Sequence, residues 1–225
     1  GKHTSKTIEE IRQDAKLQIA MGAKELIIIA EDTTAWGEDI YGEPSLEKLI
    51  EGLADLDAWI RLMYIFPSRV TDRLIKAMAE TKNIIPYIDI PIQHVNTELL
   101  SAMNRRHDKA FLEQMITDMR TAIPDLAIRT TFICGFPGET DAHVAEICEF
   151  LDTHKIDHIG CFTYSKERET RSARDDNQVP AEIAKARVDR IMEHHYHWRG
   201  DQQLKRMGET FEVLYEGDRI CRSVY

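Results

Sequence analysis

Five short stretches of the chain gather the side chains that a ligand site needs. Glu31-Asp32-Thr33-Thr34 offers two carboxylates and two hydroxyls, and Phe66-Pro67-Ser68-Arg69 a hydroxyl and a guanidinium. Pro91-Ile92-Gln93-His94 offers an amide and an imidazole. Gly135-Phe136-Pro137-Gly138-Glu139-Thr140 offers a glycine turn and a carboxylate, and Tyr164-Ser165-Lys166 a phenol and an amine. Each stretch follows an apolar run. In parallel βα architectures the residues just after each strand face the active site, so these five converge on one rim. Acids, amides, hydroxyls and a glycine turn suit a polar ligand with amine, carboxylate and ribose groups. Arg129 adds a cation inside an apolar run, where a charge costs on the order of several kcal/mol unless it is paired. It either faces a ligand or pairs with an acid such as Asp89.

Plainer roles fit the same residues. Asp32 and its threonines can cap a turn, Gly135 and Gly138 can shape a strand-to-helix turn, and His94 can be a satisfied structural histidine. His194-His195-Tyr196-His197 has the look of a metal motif, but adjacent residues on a helix point apart. His194 and His197 share a face without an evident third ligand, so no metal site is assigned. Cys134, Cys148, Cys161 and Cys221 are widely spaced and read as buried free thiols.

The elements that position these groups alternate. Thr7 opens a helix with Glu10 three residues on, a capping box, and Gly22 ends it. Leu26–Ala30 is a buried strand, Pro44–Leu56 a helix and Trp59–Tyr64 a strand. Thr71 caps a helix through Met78, and Ile84–Ile90 is the next strand. Asn96 and Asp108 open two helices, and Ala127–Cys134 is a strand. Thr140 opens a helix, and Ile156–Tyr164 is a strand. Arg168–Gln178 is a surface loop. Pro180 stands near the start of a long helix reaching about Arg206, and Phe211–Tyr215 is a last strand. Five strands alternate with helices at intervals of roughly thirty residues, the size of a βαβ unit. The fold class is therefore α/β with a parallel sheet and right-handed crossovers. An open nucleotide-binding sheet carries Gly-x-Gly-x-x-Gly after its first strand. Its absence here tilts the expectation to a barrel.

The chain has 225 residues, 43% hydrophobic and 30% charged, with a net charge of −10. That is a soluble-type composition and a poor stand-alone binder of nucleic acid, whose phosphates are held by Lys and Arg. A basic protein partner fits the charge better. No apolar run approaches the roughly 20 residues of a membrane span, and no signal peptide is evident, so a cytoplasmic protein without a membrane partner is expected. The opening Gly1-Lys2-His3-Thr4-Ser5-Lys6 and the closing Arg222-Ser223-Val224-Tyr225 look like cuts through a longer protein.

Glu31-Asp32-Thr33-Thr34 with Trp36-Gly37, Asp89-Ile90-Pro91-Ile92-Gln93-His94, and the run Arg129-Thr130-Thr131-Phe132-Ile133-Cys134-Gly135-Phe136-Pro137-Gly138-Glu139-Thr140 resemble the radical-SAM methylthiotransferases. Gly1-Lys2-His3 with Ser5-Lys6 resembles the segment after that family's cluster loop. The likeness runs in order from Gly1 to about Glu216, and the ordered set is more specific than any one motif. Gln93-His94, Asp32-Thr33-Thr34 and Phe162-Thr163-Tyr164-Ser165 resemble the branch that methylthiolates the β-carbon of an aspartate in the twelfth small-subunit ribosomal protein. The branch that modifies an adenosine of tRNA is the runner-up.

The resemblance implies a partial (β/α)6 TIM-like barrel over 1–208, with its first strand and cluster loop missing, and the start of a C-terminal TRAM-like β domain over 209–225. It implies S-adenosyl-L-methionine (SAM) and, in the full-length protein, two 4Fe–4S clusters. One would be held by a Cys-x-x-x-Cys-x-x-Cys loop, and reductive cleavage of SAM there would give a 5′-deoxyadenosyl radical. The source of the sulfur is left unassigned. By position, Glu31 and Asp32 would lie near the methionine amino group, Gln93 near the ribose or the bridging-sulfur space, and Arg129 at the SAM carboxylate. Ile133, Gly135 and Gly138 would form the adenine wall, with the glycines letting backbone approach the base. His94 and Tyr164 would face the substrate. The chain departs from the family in lacking the cysteine loop, whose thiolates such clusters require. Alone it is expected to bind no cluster and to be inactive. It also has Glu31 where the family has glutamine. Two other classes compete: a complete phosphate-binding (β/α) barrel using Gly135 and Gly138, and a non-catalytic SAM- or protein-binding scaffold.

Overall fold

The computed structural model describes residues 4–223; Gly1-Lys2-His3, part of the family-like opening, lie outside them, as do Val224 and Tyr225. The chain divides into two compact units. The first takes the residues up to Ile90, Thr117–Ile128 and those from Phe211 on; the second takes Pro91–Ile116 and Arg129–Thr210.

In the first unit, helix α1 (Ile8–Ala20) begins with the expected capping box. The Thr7 N–H donates to the Glu10 carboxylate at 2.7 Å, and the Glu10 N–H donates back to the Thr7 hydroxyl at 3.3 Å. Such a cap is worth about 1 kcal/mol. Strand β1 (Glu25–Ile28) follows. The next helical stretch differs from the expectation of one helix over Pro44–Leu56. A short α2 (Glu38–Tyr41) lies between two left-handed glycines, Gly37 and Gly42, and α3 starts only at Leu46 and runs to Gly52. Pro44 lacks the N–H a helix interior needs, which keeps it outside. Strand β2 (Trp59–Leu62), helix α4 (Asp72–Glu80) and strand β3 (Ile84–Asp89) complete the unit's βα series. The three strands are parallel neighbours in the order β1-β2-β3. β2 and β3 are buried along nearly their whole length, as the apolar runs predict for parallel strands covered on both faces.

The second unit contains α5 (Thr97–Ala102), most of strand β4 (Ala127–Cys134), α7 (Asp141–His154), β5 (His158–Thr163) and the 25-residue α8 (Ala181–Lys205). Helix α6 (Lys109–Ala122) and β4 each carry residues of both units. β4 and β5 run parallel, pairing Arg129 with His158 and Cys134 with Thr163. Helix α8 packs on β5 and α7, burying Ala184, Ile191 and His195. Asn96 caps α5 by accepting from the Glu98 and Leu99 N–H groups.

At the C-terminal end the single strand expected over Phe211–Tyr215 is instead a hairpin. β6 (Val213–Gly217) and β7 (Ile220–Ser223) are antiparallel, turned through Asp218 and Arg219 at positive φ. The hairpin belongs to the first unit, and its Arg222 pairs with Glu25 of β1. Glu25 also receives Arg61 Nε of β2 at 2.7 Å. Both side chains are buried, and the Arg61 guanidinium lies 4.1 Å from the centre of the Tyr87 ring. A buried pair is a weak net stabiliser, yet removing one partner strands the other charge. Replacing Glu25 with Ala is therefore expected to lower the unfolding free energy by about 3–5 kcal/mol. Urea denaturation checks this, and a loss under about 1 kcal/mol would mean that the arginines find water or other partners.

Candidate functional site

β4 sorts its residues by the two-residue period of a strand. Ile128, Thr130, Phe132 and Cys134 are buried, whereas Arg129, Thr131 and Ile133 are half-buried on the other face. Register places His158, Gly160 and Phe162 of β5 beside those three. The shared face thus grades from two basic side chains, through the Thr131 hydroxyl and side-chain-free Gly160, to an apolar end at Ile133 and Phe162. Phe162 is 59% exposed. Arg129 Nη2 lies 3.6 Å from where a Gly160 Cβ would stand, so the glycine leaves the guanidinium its room. This face carries a cation at one end and apolar side chains at the other.

Gln93 joins this face through its backbone. Its N–H donates to Thr131 O and its carbonyl accepts from the Ile133 N–H, both at 2.9 Å. It sits at φ +72°, the left-handed region where non-glycine residues pay on the order of 1 kcal/mol or more. The two hydrogen bonds hold it there.

His94 does not present itself to a substrate. It is wholly buried. Its Nδ1 accepts from the Val95 and Asn96 N–H groups, each at 2.9 Å, closing the turn that follows Gln93. Nε2 makes no hydrogen bond and lies 3.9 Å from Glu139 Oε2. Burial, with His143 nearby, pushes the imidazole down to about 3, so it is neutral. His94 is a buried histidine whose Nδ1 ties the following turn while its Nε2 stays without a hydrogen bond.

The glycine turn is also explained from inside the protein. Gly135 and Gly138 have φ of +79° and +84°. A Cβ on Gly135 would stand 2.3 Å from Ala184 Cβ of α8, and one on Gly138 2.8 Å from Asn177 Nδ2. The space freed by the missing side chains is filled by α8 and the segment before it rather than by a base. Glu139 turns back under the turn: Oε2 accepts the Gly135 N–H at 2.9 Å, and Oε1 meets Arg187 Nη1 at 3.2 Å. Burial raises the Glu139 carboxyl above its ordinary value, against the opposing pull of the Gly135 N–H and Arg187. Tyr164 is half-buried; its hydroxyl donates to Ser172 at 2.8 Å, and its ring meets Phe136 edge-on at 5.3 Å.

In the first unit, Glu31 is exposed. The Asp32 carboxylate accepts from the Thr34 hydroxyl and lies 3.4 Å from Arg69 Nε. Thr33 and Thr34 are buried: Thr33 donates to Met63 O at 2.6 Å, and Thr34 accepts the Phe66 N–H at 3.3 Å. These threonines tie the end of β1 to the end of β2, while Asp32 makes no capping hydrogen bond to the turn that follows it.

Sequence reasoning missed Arg187, Ala184 and Asn177. Nothing near them in the chain marks them; the available signal was Glu139, an acid inside an apolar turn that requires a cation. The cysteines differ from the expectation of four buried thiols. Cys134 and Cys148 are buried, Cys161 is half-buried, and Cys221 is exposed on the hairpin. Cys134 and Cys161 Sγ are 3.3 Å apart, and that contact together with burial pushes the Cys134 thiol far up. Among the described residues no three His, Cys, Asp or Glu side chains are grouped to hold a metal. His194 pairs with Asp152 at 2.9 Å, and buried His195 hydrogen-bonds Ile156 O at 3.0 Å.

Comparison with known proteins adds the following. The family described as the Radical SAM superfamily matches residues 1–151. A ribosomal protein uS12 methylthiotransferase RimO from Acaryochloris marina is 42% identical over 219 residues, 96% of this chain and 49% of the relative. A protein of the same name from Desulforamulus reducens is 44% identical over 218 residues, with the same coverage. The chain spans about half the length of the curated relatives it matches. Among solved structures, coproporphyrinogen III oxidase (HemN) from Escherichia coli aligns with a TM-score of 0.60 at 15% identity, covering 86% of this chain and 45% of that one. Streptococcus suis SuiB aligns at 0.59 and 12%, covering 88% and 41%. At such identities the likeness shows the fold: the TIM-like α/β partial barrel expected from the sequence.

Two measurements check the site's construction. Gly135→Ala combines positive φ with a backbone-rigid clash, and is expected to cost about 2–4 kcal/mol of stability in denaturant unfolding. Because His94 is held neutral well below its ordinary value of 6.5, the unfolded chain takes up its proton first. Its contribution is complete above pH 6.5 and is lost as pH falls toward 3, at about 1.4 kcal/mol per unit. The wild type is thus expected to lose about 2–3 kcal/mol more than His94→Asn between pH 6.5 and 4.5.

Proposed function

We propose that this chain, which belongs to the radical SAM superfamily, is the barrel portion of an enzyme that adds a methylthio group to the β-carbon of an aspartate in ribosomal protein uS12. The observation that carries this is the identity of 40–44% over nearly the whole chain with several uS12 methylthiotransferases. The net charge of −10 agrees, since a basic ribosomal protein suits an acidic enzyme better than tRNA does. The hairpin β6–β7 is, on this reading, the start of a C-terminal TRAM-like domain. The setting is the cytoplasm, where ribosomal proteins are modified; no helix among the described residues is long and apolar enough to cross a membrane.

SAM fits the β4–β5 face. Arg129 would hold its carboxylate, the Gln93 turn and Thr131 would border the ribose, and Ile133 would lie against the adenine. The apolar end excludes water from the flat base, while the guanidinium supplies a bidentate partner for the carboxylate. Tyr164, at the end of β5, would border the substrate.

The 4Fe–4S clusters of the family do not fit the described residues. Cys134 and Cys161 form a pair without a third thiolate, and burial with the Cys161 contact pushes the Cys134 thiol far up, which opposes metal ligation by it. No radical step is assigned to these residues; their part is to bind and orient. This portion alone is expected to hold no cluster and to be inactive.

Two experiments test the reading. Full-length natural protein with reconstituted clusters, reductant and SAM should add a methylthio group to uS12, detected by mass spectrometry. Modification of tRNA but not of uS12 would sink the assignment. Arg129→Ala should weaken binding of S-adenosylhomocysteine about tenfold or more, by loss of a charge-assisted pair; equal affinity would remove Arg129 from the site.

A further inference from the structure

Arg187 stands six residues into α8 and takes no part in the face that would hold SAM. Its guanidinium is nonetheless committed to the turn after β4. Nη1 donates to Glu139 O at 3.0 Å and meets Glu139 Oε1 at 3.2 Å, while Nε donates to Asp141 at 2.9 Å. The Arg187 side chain is 12% exposed and the Glu139 side chain not at all. Glu139 in turn reaches two backbone turns. Oε2 accepts the Gly135 N–H and lies 3.9 Å from His94 Nε2. His94 closes the turn that holds Gln93, and Gln93 bonds the backbone on both sides of Phe132. Gly135 follows Ile133 by two residues.

We propose that Arg187 is a positioning residue for the nucleoside half of SAM, acting through Glu139 on the Gly135 turn and the Gln93–His94 turn together. This rests on the assignment of the β4–β5 face as the SAM site. The chemistry is simple. A carboxylate buried this completely keeps its charge only beside a cation. Neutral His94 supplies none, so Arg187 fixes where the Glu139 oxygens lie. One oxygen then sets the height of the Gly135 N–H, and through it the end of β4. The same oxygen lies 3.9 Å from the His94 Nε2. A loose Glu139 would release the Gly135 turn and remove the packing of its carboxylate against the His94 ring, without touching the ligand.

The test is S-adenosylhomocysteine binding by the reconstituted full-length protein, measured by calorimetry beside thermal unfolding. Arg187→Met is expected to bind about tenfold more weakly, the loss of a charge-assisted hydrogen bond. Arg187→Lys keeps the charge without the fork and is expected to bind about threefold more weakly, a partial rescue. If Arg187→Met lowers the melting temperature but binds like wild type, Arg187 only glues α8 to the turn and the inference is overturned. If the Met variant does not fold, the Lys variant carries the test, and wild-type affinity there overturns it. Wild-type protein that binds no S-adenosylhomocysteine would instead remove the SAM reading itself, and this inference with it.

Discussion

The pleat of β4 is the constraint from which the rest of the second unit follows. Residues two apart share a face, so one strand must serve a packed interior and a more open face at once. Phe132 and Cys134 go to the packed side and are wholly buried. Arg129, Thr131 and Ile133 fall on the open side by the same alternation. A shift of one residue would exchange the two sets, burying a guanidinium and exposing Phe132. The Gln93 backbone bonds at Thr131 and Ile133 pin that register from outside the strand pair.

Each unit also resolves one buried acid with arginines from distant segments. Glu25 draws Arg61 from β2 and Arg222 from the hairpin. Glu139 draws Arg187 from α8. Neither pair follows from hydrophobic burial, since a desolvated carboxylate is costly until its partner arrives. Both acids therefore favour one arrangement of segments far apart in sequence, which apolar packing alone leaves loosely specified.

Much of the fold was legible in the chain because its signals are local. Thr7 with Glu10, Thr71 and Asn96 announce helix starts through side chains that reach only three residues. Ala127–Cys134 was placed to the residue, because β-branched and apolar types fill it between polar breaks. The hairpin was half-legible: β6 has an apolar pattern, whereas β7 includes Arg222, whose place depends on Glu25. The site was less legible. Types and positions on the strand ends single out candidate residues, and Arg129 and Ile133 share the more open face of β4. The jobs of Gly135, Gly138 and His94 could not be read, because a bare Cα or a free imidazole nitrogen shows its use only when its neighbours are in place. Those neighbours, Ala184, Asn177 and Glu139, are set by tertiary packing.

The close approach of Ala184 to Gly135, with Arg187 one turn on, has a consequence for how such a chain can vary. Both residues must point the same way from α8, and Ile191 and His195 continue that stripe. One residue inserted within the first turns would rotate everything after it by about 100°, turning Arg187 away from Glu139. A change of length in the loop upstream of Asn177 leaves that angular setting intact, whereas one inside α8 does not.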